Sequence, residues 1–137
     1  MEWLPPYLVA VVAAWLVANL TKVVISAVRN KKLSQKPAFA TGGMPSAHTA
    51  PAVALTTAVG LREGVDSAIF ALALVLAVVI MVDAVHARRA VGEQGVALQK
   101  LLSKTDQKPY LARGHKPLEV LVSALIGIAV GVVTFYL

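Results

Sequence analysis

The 137-residue chain contains no cysteine, which excludes a disulfide scaffold and any cysteine-based metal or redox centre and leaves its redox compartment open. Charge is scarce too: 15% of residues are Asp, Glu, Lys or Arg, below the roughly one quarter usual in a soluble domain. Acid is the rarer sign, with seven Asp and Glu against thirteen Lys and Arg and a formal charge of +6 with the histidines neutral. Internal repeats, low-complexity tracts and linker-like stretches are missing, so residues 1–137 read as a single domain without a disordered tail. What is abundant is apolar. Hydrophobic residues make up 58% of the chain, and the mean hydropathy is +0.73. The expected class is a small, multi-pass integral membrane protein.

Four apolar stretches carry that expectation: Leu4–Val28, Pro45–Leu61, Ser67–Val85 and Pro117–Leu137. A spanning helix needs about 20 mostly apolar residues, which all four approach and the second meets only marginally. Alternation with a period of two is missing and Ala, Leu and Val dominate, so helices are expected rather than barrel strands. The fold class is therefore all-α, a polytopic bundle of about four transmembrane helices. Pro5, Pro45 and Pro117 fall at segment starts, where a missing N–H costs nothing, and Pro51 is placed to kink the second helix. The first stretch is not expected to be a cleaved leader, because it follows Glu2, lacks a basic flank and is too long. Residues Val91–Leu102 place Val91, Leu98, Leu101 and Leu102 on one stripe; a short amphipathic interfacial helix and a partly ordered loop both fit.

Eleven of the thirteen basic residues lie in the two connections that follow the first and third segments, both on one side of the membrane. The positive-inside rule makes that side cytoplasmic and puts both termini opposite. Residues that bind a phosphate would create the same excess.

Ionisable groups at membrane depth are costly and usually face a bundle interior or a wet cavity. Lys22, His48, Asp83 and Glu119 are such groups, with Arg29, Arg88, Arg89 and His115 just outside, and in this topology all lie toward the basic face. Lys22 and Arg29 are seven positions apart, which puts them on one helix face about 10 Å apart along the axis. They read either as an anion-holding pair or as a snorkelling Lys and an interfacial Arg. Thr41–His48 is a glycine turn running into a helix start, an arrangement whose free N–H groups around Gly43 and Ser46 suit an anion beside His48; ordinary turn glycines and an interfacial His are the plainer reading. Glu119 follows His115 by four positions, close enough for its carboxylate to take one imidazole N–H and leave the other nitrogen nucleophilic. It serves the helix dipole equally well. Asp83 is a charge partner for Lys22, Arg88 or Arg89, and paired Arg side chains suit bidentate phosphate binding. His86 is read as interfacial.

These pieces, in this order, resemble the type-2 phosphatidic acid phosphatase and vanadium haloperoxidase superfamily, whose signature is K-x6-R-P, then P-S-G-H, then S-R-x5-H-x3-D. Lys22 to Arg29 matches the first motif with Asn30 in place of Pro. Pro45–His48 matches the second with Ala47 for Gly, and His115 to Glu119 matches the end of the third with Glu for Asp. The closer likeness is to the divergent, acid-phosphatase-related branch, through GGMPSAH at Gly42–His48, DAVHARR at Asp83–Arg89 and GHKPLEV at Gly114–Val120. The S-R pair is missing: Pro109 stands six positions before His115. Arg88 or Arg89 is the expected substitute, with Arg113 and Lys108 as weaker ones.

The resemblance implies that His115 attacks phosphorus to form a phosphohistidine, Glu119 orients its imidazole, and His48 protonates the leaving oxygen. It implies that Lys22, Arg29, Arg88 or Arg89, and the N–H groups around Gly43 and Ser46 hold the phosphoryl oxygens without metal or other cofactor. The expected substrate is a lipid or polyprenyl phosphate or diphosphate at the membrane surface, surrounded by membrane lipids, and no nucleic-acid partner is expected. A catalytically weak phospholipid-binding or scaffolding relative is the main alternative, a small oligomeric transporter a lesser one, and haloperoxidase chemistry remote. Four helices are few to close a site, and their small residues favour close contacts, which adds a homodimer to the expectations.

Overall fold

A computed structural model describes residues 5–30, 45–103 and 114–137. The described residues form helices α1 (Pro6–Asn30), α2 (Thr49–Glu63), α3 (Ala68–Val82), α4 (Arg88–Leu101) and α5 (Pro117–Tyr136), with a π-turn, Asp83–Ala87, joining α3 to α4. Among them, α1, the continuous rod Ala68–Leu101 and α5 are long and apolar enough to cross a membrane. The protein is an all-α membrane bundle.

The second apolar segment departs from expectation. Its helix has 15 residues and begins at Thr49, four positions after Pro45, with His48 as the N-cap. At 1.5 Å per residue that is about 22 Å, short of the roughly 30 Å of a bilayer core. Pro51 therefore lies in the first turn, where no helical acceptor is lost, and does not sit at a mid-helix kink. The amphipathic segment is helical from Arg88 to Leu101 and buries no residue. It continues the third segment as one rod of 34 residues, about 51 Å long.

Burial runs against polarity, as it must where the surroundings are as apolar as the core. Helix α2 packs against α1, α3 and α5, and it buries Thr49, Thr56 and several small residues. The almost wholly aliphatic α3 buries Ala73 and Ala77 alone, while Leu72 and Val75 are 70% and 61% exposed. With no hydrophobic drive between helices, close backbone approach does the work. Spacing of four puts small residues in stripes: Ala10, Ala14 and Ala18 on α1, Ala50, Ala54 and Ala58 on α2, and Ser123, Gly127 and Gly131 on α5. A Cβ on Gly127 would stand 2.5 Å from the Ala50 carbonyl oxygen, and one on Gly131 would stand 2.7 Å from Thr57 Cβ.

Hydrogen bonds finish the frame. Thr56 Oγ1 donates across to the Ala73 carbonyl at 3.1 Å. Gly64, the positive-φ residue of the connection (φ +86°), lets the chain reverse into Ser67, whose hydroxyl caps α3 by accepting from Phe70 N–H. At this end the Tyr7 hydroxyl donates to Glu63, and the Arg62 guanidinium lies over the Tyr7 and Phe135 rings, clasping α1, α2 and α5 together.

Gly127→Val is expected to lower unfolding free energy in detergent by about 1–3 kcal/mol, because the added carbons meet backbone. Ala129→Val, on the exposed face of α5, is expected to change it by less than about 0.5 kcal/mol. Unfolding followed by circular dichroism compares the two.

Candidate active site

The opposite end of the bundle gathers the C-terminal part of α1, the start of α2, the π-turn and the start of α5. Each helix delivers its polar residue by periodicity. Lys22 is the next member of the series Ala10, Ala14, Ala18, so its stem follows the buried stripe and the residue is 6% exposed. Glu119 likewise begins the face that continues through Ser123, Gly127 and Gly131.

His115 is the centre of this end. Pro117 opens α5, and Glu119 folds back so that its Oε2 accepts from Lys116 N–H at 3.1 Å and lies 3.3 Å from His115 Nδ1. The imidazole is 3% exposed and the carboxylate 19%. Burial pushes His115 below the ordinary imidazole range, against the opposing pull of its hydrogen bond to Glu119. The ring is thus neutral at pH 7, and a proton on Nδ1 shared with Glu119 leaves Nε2 with its lone pair.

The π-turn seats this histidine. Its wider loop carries the Arg88 N–H to the Asp83 carbonyl, five residues back. The Ala84 carbonyl beside it accepts the backbone N–H of His115 at 3.0 Å. Gly114 makes that contact possible: a Cβ there would come within 2.7 Å of Arg89 N and Cα. The same turn pairs Arg88 Nε with Asp83 Oδ2 at 3.0 Å. In an α-helix, residues five apart diverge by about 140°; a π-turn reduces that angle and brings them together.

The remaining groups converge on His115. The charges of Lys22, Arg88 and Glu119 act on it, and those of Arg88, Lys22 and Asp83 act on His48, the exposed N-cap of α2. Arg88 therefore stands where both histidines feel it. Arg89 points elsewhere, to Glu93 at 3.0 Å on the exposed face of α4, with both side chains 69% exposed.

Ser46 also departs from expectation. It is fully buried, its N–H donates to Ser123 Oγ at 2.5 Å, and its hydroxyl accepts from the Thr49 N–H and hydroxyl. Its N–H and its hydroxyl oxygen are engaged within the frame. Ser123 escaped the sequence reading, although its place four residues after Glu119 marked the same helix face. Gly43, Lys108, Arg113 and the side chain of Arg29 lie outside the described residues.

Gly114→Ala is expected to break the His115 N–H bond to Ala84. Losing such a bond costs about 1–3 kcal/mol locally, so amide hydrogen exchange at His115 should accelerate about tenfold or more. Unchanged exchange would mean that the close approach at Arg89 is not what seats the loop.

The family described as "Divergent PAP2 family" matches residues 5–130, a stretch holding every residue of the cluster. An uncharacterized membrane protein of Bacillus subtilis (strain 168), YuiD, is 35% identical over 147 aligned positions, which cover 94% of this chain and 93% of the relative. No solved structure matches the chain. The family match over residues 5–130, with a relative aligned almost end to end, places this chain in the Divergent PAP2 family.

Proposed function

We propose that the protein is a metal-independent phosphatase that cleaves a lipid or polyprenyl phosphate, or diphosphate, at the membrane surface. The carrying observation is the His115–Glu119 pair, a buried imidazole with Nδ1 against a carboxylate, in reach of the charges of Lys22 and Arg88. Nε2 of His115 attacks phosphorus while the bond to the lipid oxygen breaks, and His48 gives that oxygen its proton. Water then attacks the phosphohistidine, His48 takes the proton, the P–N bond breaks and phosphate leaves. Lys22, Arg29, Arg88 and the N–H groups near Gly43 stabilise the phosphoryl oxygens. Arg88 fills the role of the guanidinium missing from the third motif.

An amphiphile suits this place because the cations lie at the end of an apolar bundle. A groove lined by Val78, Val79 and Val82 runs along α3 to Asp83 and His86, a surface fit for a hydrocarbon chain. The basic connections put the reacting end on the cytoplasmic side. A second reading, a phospholipid-binding relative with little turnover, is favoured by one observation: Arg88 already gives its Nε–H to Asp83, whose negative charge offsets the positive one it offers a phosphate.

Phosphate release in detergent, with EDTA present, tests the proposal on a panel of lipid and polyprenyl phosphates. Activity should survive EDTA, and His115→Ala and His48→Ala should each lower it about 100-fold or more. No release from any substrate would leave the binding reading.

The pH profile gives a signed test. With His115 held below the usual imidazole value of about 6.5, its Nε2 stays free at neutral pH and the acid limb of kcat/KM falls below that value. Glu119 favours the protonated ring, so Glu119→Gln should move the acid limb to still lower pH while reducing the rate. An acid limb moving upward would contradict the assignment.

A further inference from the structure

We infer that Ser123 is a positioning residue whose hydroxyl sets the separation of the two histidines, an inference that rests on the phosphatase reading. The Ser123 oxygen has two partners in a fixed order. It accepts the backbone N–H of Ser46 at 2.5 Å and donates to the Glu119 carbonyl, one turn back on α5, at 2.6 Å. Ser46 lies two residues before His48, and its own hydroxyl accepts from the N–H and hydroxyl of Thr49, the residue after it. Both serines are fully buried.

An uninterrupted path therefore joins the reacting groups. It runs from the His115 ring to the Glu119 carboxylate, along the Glu119 backbone to its carbonyl, through Ser123 Oγ to Ser46 N–H, and on to His48. The two histidines come from segments far apart in the chain, and neither segment is a regular helix where it holds its histidine. Helix packing brings α2 and α5 together but leaves the irregular approach to α2 free to slide or swing. A short bond from a rigid turn of α5 removes that freedom. Alanine at 123 would keep nearly the same volume and lose the acceptor, leaving a buried N–H without a partner. In-line transfer needs donor and nucleophile on opposite sides of one phosphorus, and a misplacement of about 1 Å costs up to about 100-fold.

The test compares Ser123→Ala with Thr56→Val, which removes another buried hydroxyl bond between helices, from α2 to α3 and outside the cluster. Both should lower thermal stability in detergent. Ser123→Ala should lower kcat about 10- to 100-fold with KM within about twofold, and Thr56→Val should leave both within about twofold. Ser123→Cys, which keeps a weak acceptor, should fall between wild type and Ser123→Ala and stands in if Ser123→Ala does not fold. Equal kcat losses at the two positions would overturn the inference and leave Ser123 a structural residue.

A readout independent of turnover separates this inference from the phosphatase reading. The charge of His115 reaches His48, so His115→Gln should shift the NMR titration of the His48 ring. In the Ser123→Ala background that shift should shrink by half or more, while Thr56→Val should preserve it. If wild type releases no phosphate, the phosphatase reading fails, and an undiminished shift would then reject positioning by Ser123 as well.

Discussion

Helices α2 and α5 approach until backbone touches backbone at Gly127 and Gly131, and everything at the polar end is hung from that contact. In an apolar surround, two helices gain nothing by hiding leucines from lipid, so affinity comes from the area that small residues allow to meet. The same stripe that supplies the glycines ends in Ser123 and Glu119, and the facing stripe on α1 ends in Lys22. Packing and chemistry are thus parts of one periodic pattern. A helix turned by one residue would lose the close contact and carry its polar group out into lipid together.

Burying such groups is tolerable because they are shared out. The Glu119 carboxylate takes a backbone N–H and an imidazole, and Asp83 takes Arg88. Among the described residues no fully buried side-chain nitrogen or oxygen lacks a partner. Across the described residues of the cluster the charges balance, Lys22 and Arg88 against Asp83 and Glu119, around one buried imidazole. The far end also pairs its charges, but with aromatic partners: Tyr7 donates to Glu63, and Arg62 lies over the Tyr7 and Phe135 rings.

Much of this was legible in the chain. The first and fourth apolar runs became long helices within a few residues of their expected bounds, and the third did so at its start but ran on to Leu101, because twenty aliphatic residues in sequence have few other fates. Lys22 and Glu119 declared their faces by spacing of four. Two features were hidden. The π-turn depends on whether one carbonyl finds its partner four or five residues on, a choice decided by the docking of Gly114 and His115 from a distant part of the chain. The inward turn of Ser46 depends on Ser123, 77 positions away. A loop motif read alone assigns a free serine to a ligand; only the tertiary partner reveals that it is already engaged. The choice between Arg88 and Arg89 was undetermined for the same reason, since adjacent residues differ in direction and the π-turn alters both.

The continuous helical stretch from Ala68 to Leu101 divides at its π-turn into two unlike halves. Its first half is anchored in the bundle at Ala73 and Ala77, and its second half buries nothing. The chain segment bearing His115 rests at the junction, hydrogen-bonded to Ala84 and pressed against Arg89. The segment that carries His115 is thus seated where the packed half of this helix gives way to the unpacked half.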